Sequence, residues 1–280
     1  MRLIKVTGGL GNQMFIYAFY LRMRKRFTDV RIDLSDMMHY RVHYGYEMHK
    51  VFNLPYTEFC INQRVKKVLE FLFFKTILER KQHGSMKPYT RKYRWPFIYF
   101  KGFYQNERYF EDIKDEVRNA FTFDLDKVNE KTRQILGDFG SDGVPVSIHI
   151  RRGDYLLPKH WEAIGCICQL PYYKNALSAM EKRVKDPVYY VFSEDLEWVK
   201  QNLPLRRAVY VDWNKGEDSW QDMMLMSRCR HHIICNSTFS WWGAWLNPDP
   251  DKIVIAPEQW TSTQPGSTIV PKEWIMVPIK

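Results

Sequence analysis

Val144-Pro145-Val146-Ser147-Ile148-His149-Ile150-Arg151-Arg152-Gly153-Asp154-Tyr155 lies near the middle of a 280-residue chain. An apolar run from Val144 to Ile150 stops abruptly at two arginines, a glycine and an aspartate. That pattern predicts a buried strand delivering charge to its carboxyl end, the edge where open α/β sheets bind ligands. Two adjacent guanidiniums repel unless an anion lies between them, and a phosphate or diphosphate suits their forked donors. The competing reading is a pair of surface arginines, each with a carboxylate partner such as Asp154.

The sequence alternates regularly on the carboxyl side of this stretch. Strands are expected at Val188–Phe192, Ala208–Val211, His232–Cys235 and Ile253–Ala256. Helices are expected at Tyr172–Val184, from Asp195 to Leu203, at Asp218–Arg228 and from Ser240 to Leu246. Such repetition gives a parallel sheet covered on both faces. Two further polar clusters then fall at the same edge as the arginines: Ser193-Glu194-Asp195, and Asn236-Ser237-Thr238 at the start of a helix, where hydroxyls and free N–H groups suit phosphate. Either cluster alone reads as plain N-capping; the three together point to a nucleotide site.

On the amino side, a strand at Leu3–Thr7 runs into Gly8-Gly9-Leu10-Gly11-Asn12-Gln13 and a helix from Met14 to Phe27. The loop fits the dinucleotide fingerprint poorly, because the third glycine position holds Met14, and it has no Lys-Ser/Thr for a P-loop. It is a close-approach site of unspecified kind or a tight turn. Further elements are expected at Val30–Leu34 (strand), Arg64–Lys81 (helix), Tyr99–Gln105 (strand), Glu107–Phe121 (helix) and Asp126–Asp138 (helix). The turn-rich Phe139–Pro145 segment is the expected linker, dividing domains 1–141 and 142–280.

The net charge of +10 is concentrated. Between Cys60 and Trp95, ten Lys/Arg face only Glu70 and Glu79, a net +8. The helix expected there is apolar around much of its girth and basic at both ends. It fits a core helix with solvated ends, or an interfacial helix on an anionic membrane. The five cysteines form no disulfide or zinc framework, and reduced thiols in a cytosolic protein are expected. The N-terminal Met1–Val6 lacks the apolar core of a signal peptide, and no run is long and apolar enough to span a bilayer. Asp249-Pro250-Asp251 and His231-His232 are poor metal ligands: the first reads as turn chemistry, and adjacent strand residues point to opposite faces. No metal and no nucleic-acid partner are expected. The charge of a leaving diphosphate would fall to arginines and helix N-termini.

Gly8–Phe15, His149–Tyr155 and Asn236–Trp242, with support from Lys101–Gln105, Val191–Asp195 and Asp222–Met226, together resemble the bacterial α-1,2-fucosyltransferases. The resemblance runs in order from Gly8 to about Trp260. Ile16 departs from the glutamine expected in many relatives. The resemblance implies an α/β, GT-B-like architecture of two Rossmann-type domains facing a cleft, and metal-free transfer of L-fucose from GDP-L-fucose to the 2-hydroxyl of a galactoside with inversion. By that resemblance Arg151 binds the donor diphosphate, with His149 and Asp154 near the nucleotide sugar and Arg152 in support; the strand-end reading adds Ser193, Glu194, Asp195, Asn236, Ser237 and Thr238 to the donor side. The loop Gly9, Gly11, Asn12 and Gln13 faces the reaction, with Asn12 toward donor or acceptor. Asp154 is a candidate base only by position, since a carboxylate beside two arginines is a weak one. The implied setting is surface-polysaccharide synthesis at the inner face of the cytoplasmic membrane, with a lipid-linked acceptor and peripheral contact through residues 60–95. A non-catalytic glycan- or nucleotide-sugar-binding protein on this fold, or a transferase for another GDP-sugar, are the alternatives.

Overall fold

The computed structural model describes residues 1–37, 44–54, 58–60, 63–79 and 95–280. The chain divides into two compact units, Met1–Asp124 and Leu125–Lys280.

The first unit runs β1 (Arg2–Lys5), α1 (Leu10–Arg24), β2 (Val30–Asp33), α2 (Met48–Val51), β3 (Glu58–Phe59), α3 (Gln63–Leu72), β4 (Lys75–Leu78), β5 (Ile98–Lys101) and α4 (Lys114–Ala120). Its strands form a parallel sheet in the order β3-β2-β1-β5-β4. The order reverses between β1 and β5, so the crevice of this sheet opens beyond Lys5 and Lys101. Helix α1 is buried over most of its circumference, including Met14, Phe15, Ile16 and Tyr20, which is why its sequence is apolar all round.

The second unit runs α5 (Glu130–Asp138), β6 (Val144–Ile150), α6 (Pro158–His160), α7 (Leu170–Glu181), β7 (Pro187–Ser193), α8 (Leu196–Asn202), β8 (Ala208–Val211), α9 (Trp220–Arg228), β9 (His231–Ile233), α10 (Thr238–Leu246), β10 (Val254–Pro257), the hairpin β11 (Gln259–Thr261) and β12 (Gln264–Pro265), and β13 (Ile275–Val277). The six-stranded sheet is parallel throughout in the order β13-β10-β9-β6-β7-β8. Numbered within the unit this is 6-5-4-1-2-3, the Rossmann order, with its switch point between β6 and β9. Alternation along β7 shows both faces covered. Tyr189 and Val191 pack with Ile148, Ile150 and the Tyr172 face of α7, whereas Val188, Tyr190 and Phe192 pack with Leu225 and Met226 of α9. Six of the ten tryptophans, Trp220, Trp241, Trp242, Trp245, Trp260 and Trp274, are buried. Most of the aromatic excess is therefore core material and not a glycan-facing surface.

Several sequence expectations change. The helix expected at 64–81 ends at Leu72, and Lys75–Leu78 continues as an edge strand beside β5. Arg80 and Lys81, like the basic residues from Lys87 to Arg94, lie outside the described residues. The helix expected at 107–121 is two single turns, Glu107–Tyr109 and Glu111–Ile113, before α4 begins at Lys114. The second sheet does not close at Ala256, because Ile275–Val277 pairs in parallel on β10. The division between units falls at 124/125, ahead of the linker read at Phe139–Pro145. Helix α5 is tied to the second unit at its start: the Asn129 N–H donates to Gln221 Oε1 (3.0 Å) and Asn129 Nδ2 to Asn214 Oδ1 (2.7 Å).

Candidate active site

The second switch point is built from the turns at the carboxyl ends of β6, β7 and β9. Arg151, one residue past β6, donates through Nη2 to Asp154 Oδ1 (2.7 Å), pairs through Nη1 with Glu194, and lies over the Tyr155 ring. Arg152 donates through Nε to Asp195 Oδ2 (2.9 Å) and stacks its guanidinium 3.9 Å above the centroid of Trp198. Asp195 in turn N-caps α8, accepting from the Trp198 N–H at 3.1 Å. The Arg152 hydrogen bond, then that N–H, hold its carboxyl below the usual range. Arg152 is thus clamped between a cap and an aromatic face. Arg151 is held by two carboxylates that any incoming anion must displace or share.

The third strand end joins the same cluster. The Tyr155 hydroxyl donates to the Asn236 carbonyl (3.1 Å), and Ser237 N-caps α10 by accepting from the Phe239 N–H (3.3 Å). Thr238 is the first residue of α10. Asn236 Nδ2 donates to the carbonyls of Ile164 and Trp260, both at 3.0 Å, and its Oδ1 is buried without a hydrogen-bond partner among the described residues. Ser193 accepts the Asp195 N–H (3.1 Å), so its hydroxyl shapes the turn. Behind the arginines, His149 Nδ1 lies 3.3 Å from Cys235 Sγ. Burial, with the Arg151 charge beside it, pulls His149 down to about 3, and burial pushes Cys235 up to about 11. His149 is therefore neutral and adds no charge of its own to an anion site.

The glycine loop lies at the switch point of the first sheet. Gly8 has φ +82°, and a Cβ there would lie 2.6 Å from Asn12 Nδ2, so backbone and space both demand glycine. Gly9 is the N-cap of α1 and Gly11 is buried in its first turn. Asn12 Oδ1 accepts from Gln105 Nε2 (2.7 Å), a bond that joins the loop after β1 to the loop after β5. Gln13 is a staple: Nε2 donates to the carbonyls of Gly8 (2.9 Å) and Gly45 (2.8 Å), and Oε1 accepts from the Glu47 N–H (2.9 Å). The Glu47 carboxylate accepts the Leu10 N–H at the start of α1, and burial raises it to about 7. The place a phosphate would take at this helix N-terminus is thus filled by the protein's own carboxyl.

Gln105, Glu47, Trp198 and Glu79 belong to these arrangements and were not among the expected site residues. Glu79 Oε2 accepts the N–H groups of Phe103 (2.7 Å) and Tyr104 (2.9 Å), fixing the loop that carries Gln105. The Lys101–Gln105 segment was the only sequence signal for any of them. Asp249 pairs with Arg230 (2.8 Å) and caps the Asp251 N–H (2.8 Å), as turn chemistry predicts. His231 Nδ1 accepts the Ile253 N–H (3.0 Å), and His232 lies between Ser147 Oγ and Asn247 Nδ2.

Comparison with known proteins identifies relatives along nearly the whole chain. An α-1,2-colitosyltransferase from Escherichia coli is 33% identical over 98% of this chain and 97% of its own length. The O-antigen biosynthesis glycosyltransferase WbnK from Escherichia coli is 27% identical over 96% and 98%. Human galactoside α-(1,2)-fucosyltransferase 1 is 29% identical over 60% of this chain and 48% of its own length. Among solved structures, the α-1,6-fucosyltransferase NodZ, in crystals soaked with GDP-fucose, superposes with a TM-score of 0.52 over 95% of this chain and 96% of its own, at 14% identity. That likeness extends the two-unit Rossmann-type architecture to GT-B-like fucosyltransferases. The family model of Glycosyl transferase family 11 matches residues 1–278, and the chain belongs to that family of α-1,2-fucosyltransferases.

Proposed function

We propose that the chain transfers L-fucose from GDP-L-fucose to the 2-hydroxyl of a terminal galactoside, with inversion and without a metal. The observation that carries this reading is Arg151, one residue past β6 at the switch point, in a turn whose Tyr155 hydroxyl reaches the Asn236 carbonyl just ahead of α10. In the proposed reaction the acceptor oxygen bonds to the fucose anomeric carbon as the bond to the diphosphate oxygen breaks. The diphosphate leaves with the electron pair and is stabilised by Arg151 and the first N–H groups of α10. The hydroxyl proton leaves to a base. Asp154, hydrogen-bonded to Arg151, is read as holding that guanidinium in place. Arg152, with Asp195 and Trp198, fixes the loop behind it, and Glu194 is exchanged for the diphosphate. Asn12, steered by Gln105, is assigned to the sugar side. The acceptor is read as a lipid-carried oligosaccharide of a surface polysaccharide, in keeping with the O-antigen relative.

The test is incubation with GDP-L-fucose and lactose in EDTA. A 2-linked fucosyl product supports donor, linkage and metal independence together. Loss of all activity in EDTA, restored by a divalent cation, sinks the metal-free mechanism. The colitosyltransferase relative supports a second donor reading. If the GDP-activated form of colitose competes better than GDP-L-fucose, the donor assignment passes to it. GDP binding without any turnover would favour the non-catalytic alternative.

A further inference from the structure

Helix α3 is inside out for a water-facing helix. Two of its charged residues turn inward while Arg64 and Lys67 stay exposed: Lys66, only 7% exposed, has Nζ 2.9 Å from both Asp33 Oδ2 and Asp36 Oδ1, and Glu70 accepts from Lys101 Nζ (2.8 Å). Most of its apolar residues turn outward, Leu69 excepted. Val65, Val68 and Leu72 are each more than half exposed, and Phe71 is 88% exposed. Phe73 is exposed as well, with its ring 6.5 Å from that of exposed Phe97, and Leu78 of the edge strand β4 and Trp95 are further exposed apolar side chains of this unit. Large apolar side chains exposed in this number on one helix face mark an interaction surface. Exposed Lys67 and Lys75 stand among them, within a segment carrying a net +8 by sequence.

We infer that this face docks on an anionic lipid bilayer, its Phe, Leu and Trp side chains entering the headgroup boundary and its lysines meeting lipid phosphates. Charge selects this occupant. A second copy of the chain would bring the same basic segment against itself, which like-charge repulsion opposes. An anionic bilayer satisfies the apolar and the cationic parts at once.

The experiment is sedimentation of the full chain with phosphatidylcholine vesicles, with and without phosphatidylglycerol, across a salt series. It is read without turnover, so it does not depend on the proposed reaction. Binding is expected only with phosphatidylglycerol and is expected to weaken with salt. Phe71→Asp should reduce it about tenfold or more. Lys67→Gln should cost about fivefold, the effect of one charge near the surface. Both side chains are exposed, so thermal stability and turnover of a free galactoside should match the parent. The inference is overturned if the parent fails to bind, or if binding is unchanged in both variants. Equal binding to neutral vesicles also overturns it. So does a fall in thermal stability in Phe71→Asp without vesicle binding, which would mean that the chain itself covers the face. A last contrary outcome is an oligomer that Phe71→Asp dissociates while vesicle binding persists.

Discussion

Arg151 and Arg152 are neighbours in sequence with different tasks. Arg152 is committed to Asp195 and Trp198, whereas Arg151 is held by carboxylates that an anion can replace. Arg151→Ala should therefore lower GDP affinity by about 3 kcal/mol, roughly a hundredfold, with an unchanged circular-dichroism spectrum. Unchanged affinity in a calorimetric titration would refute its role. Gln105→Ala should leave GDP affinity intact and lower kcat/KM about tenfold, because only the Asn12 amide loses its orientation. Equal loss of GDP binding would contradict that division. Glu47 makes a pH prediction. Its folded value lies near 7 and its ordinary value near 4.5, so the folded state favours the protonated form. The stability it contributes is complete below pH 4.5 and is lost as pH rises through 7, a change of about 3 kcal/mol at most. Glu47→Gln should flatten this part of the pH–stability curve. A variant curve parallel to the parent's would rule Glu47 out as the cause.

Among the elements, those most legible were strands of continuous apolar residues ending in charge. Val144–Ile150 could be read because a parallel strand is buried on both faces and Arg151 marks where it leaves the sheet. Helix α3 was hard to read because the sequence counts charges but not their direction. Lys66 and Lys67 look equivalent, yet one closes an ion-pair cluster with Asp33 and Asp36 and the other faces outward. Lys66→Ala should cost about 3 kcal/mol of stability by leaving the Asp33 carboxylate buried and unpaired, and Lys67→Ala should cost almost nothing. Chemical denaturation of the two variants separates them; equal midpoints would contradict the cluster's role. Strand β13 was missed because three residues between Pro271 and Pro278 carry no period, and only pairing with β10 makes them a strand. Glu79 and Gln105 were illegible for a related reason. Their roles rest on hydrogen bonds spanning 25 and 93 residues of sequence.

For the whole molecule, two parallel sheets with separate switch points explain why the informative motifs sit where they do. Gly8–Gln13 follows the first strand of one sheet, and Arg151–Tyr155 follows the first strand of the other. That arrangement stems from strand–helix alternation and could be read from the chain. The division at 124/125 could not, because Phe139–Pro145 has the turn composition of a linker. Contacts far apart in sequence assign α5 to the second unit: Gln221 and Asn214 reach back to Asn129, Trp213 donates to Thr132, and Ile135 and Leu136 pack on the core beside Leu225. The tryptophans show the same limit, since composition cannot tell a sugar platform from a core. Trp242, fully buried on α10, should cost about 3–5 kcal/mol when replaced by alanine. A thermal melt within a degree of the parent's would place it outside the core.

The pairing of Arg151 with Glu194 bears on the end of the catalytic cycle. A diphosphate product held by an arginine with no other partner would leave slowly, and the reaction would stall on its own by-product. If Arg151 holds the diphosphate as proposed, Glu194 is the tethered anion that recaptures the guanidinium as GDP departs, and the protein carries its own eluant. Glu194→Gln should hold GDP more tightly, show stronger inhibition by accumulated GDP and turn over more slowly at saturating donor. Weaker GDP binding in that variant would show that Glu194 helps to seat the product and does not help to expel it.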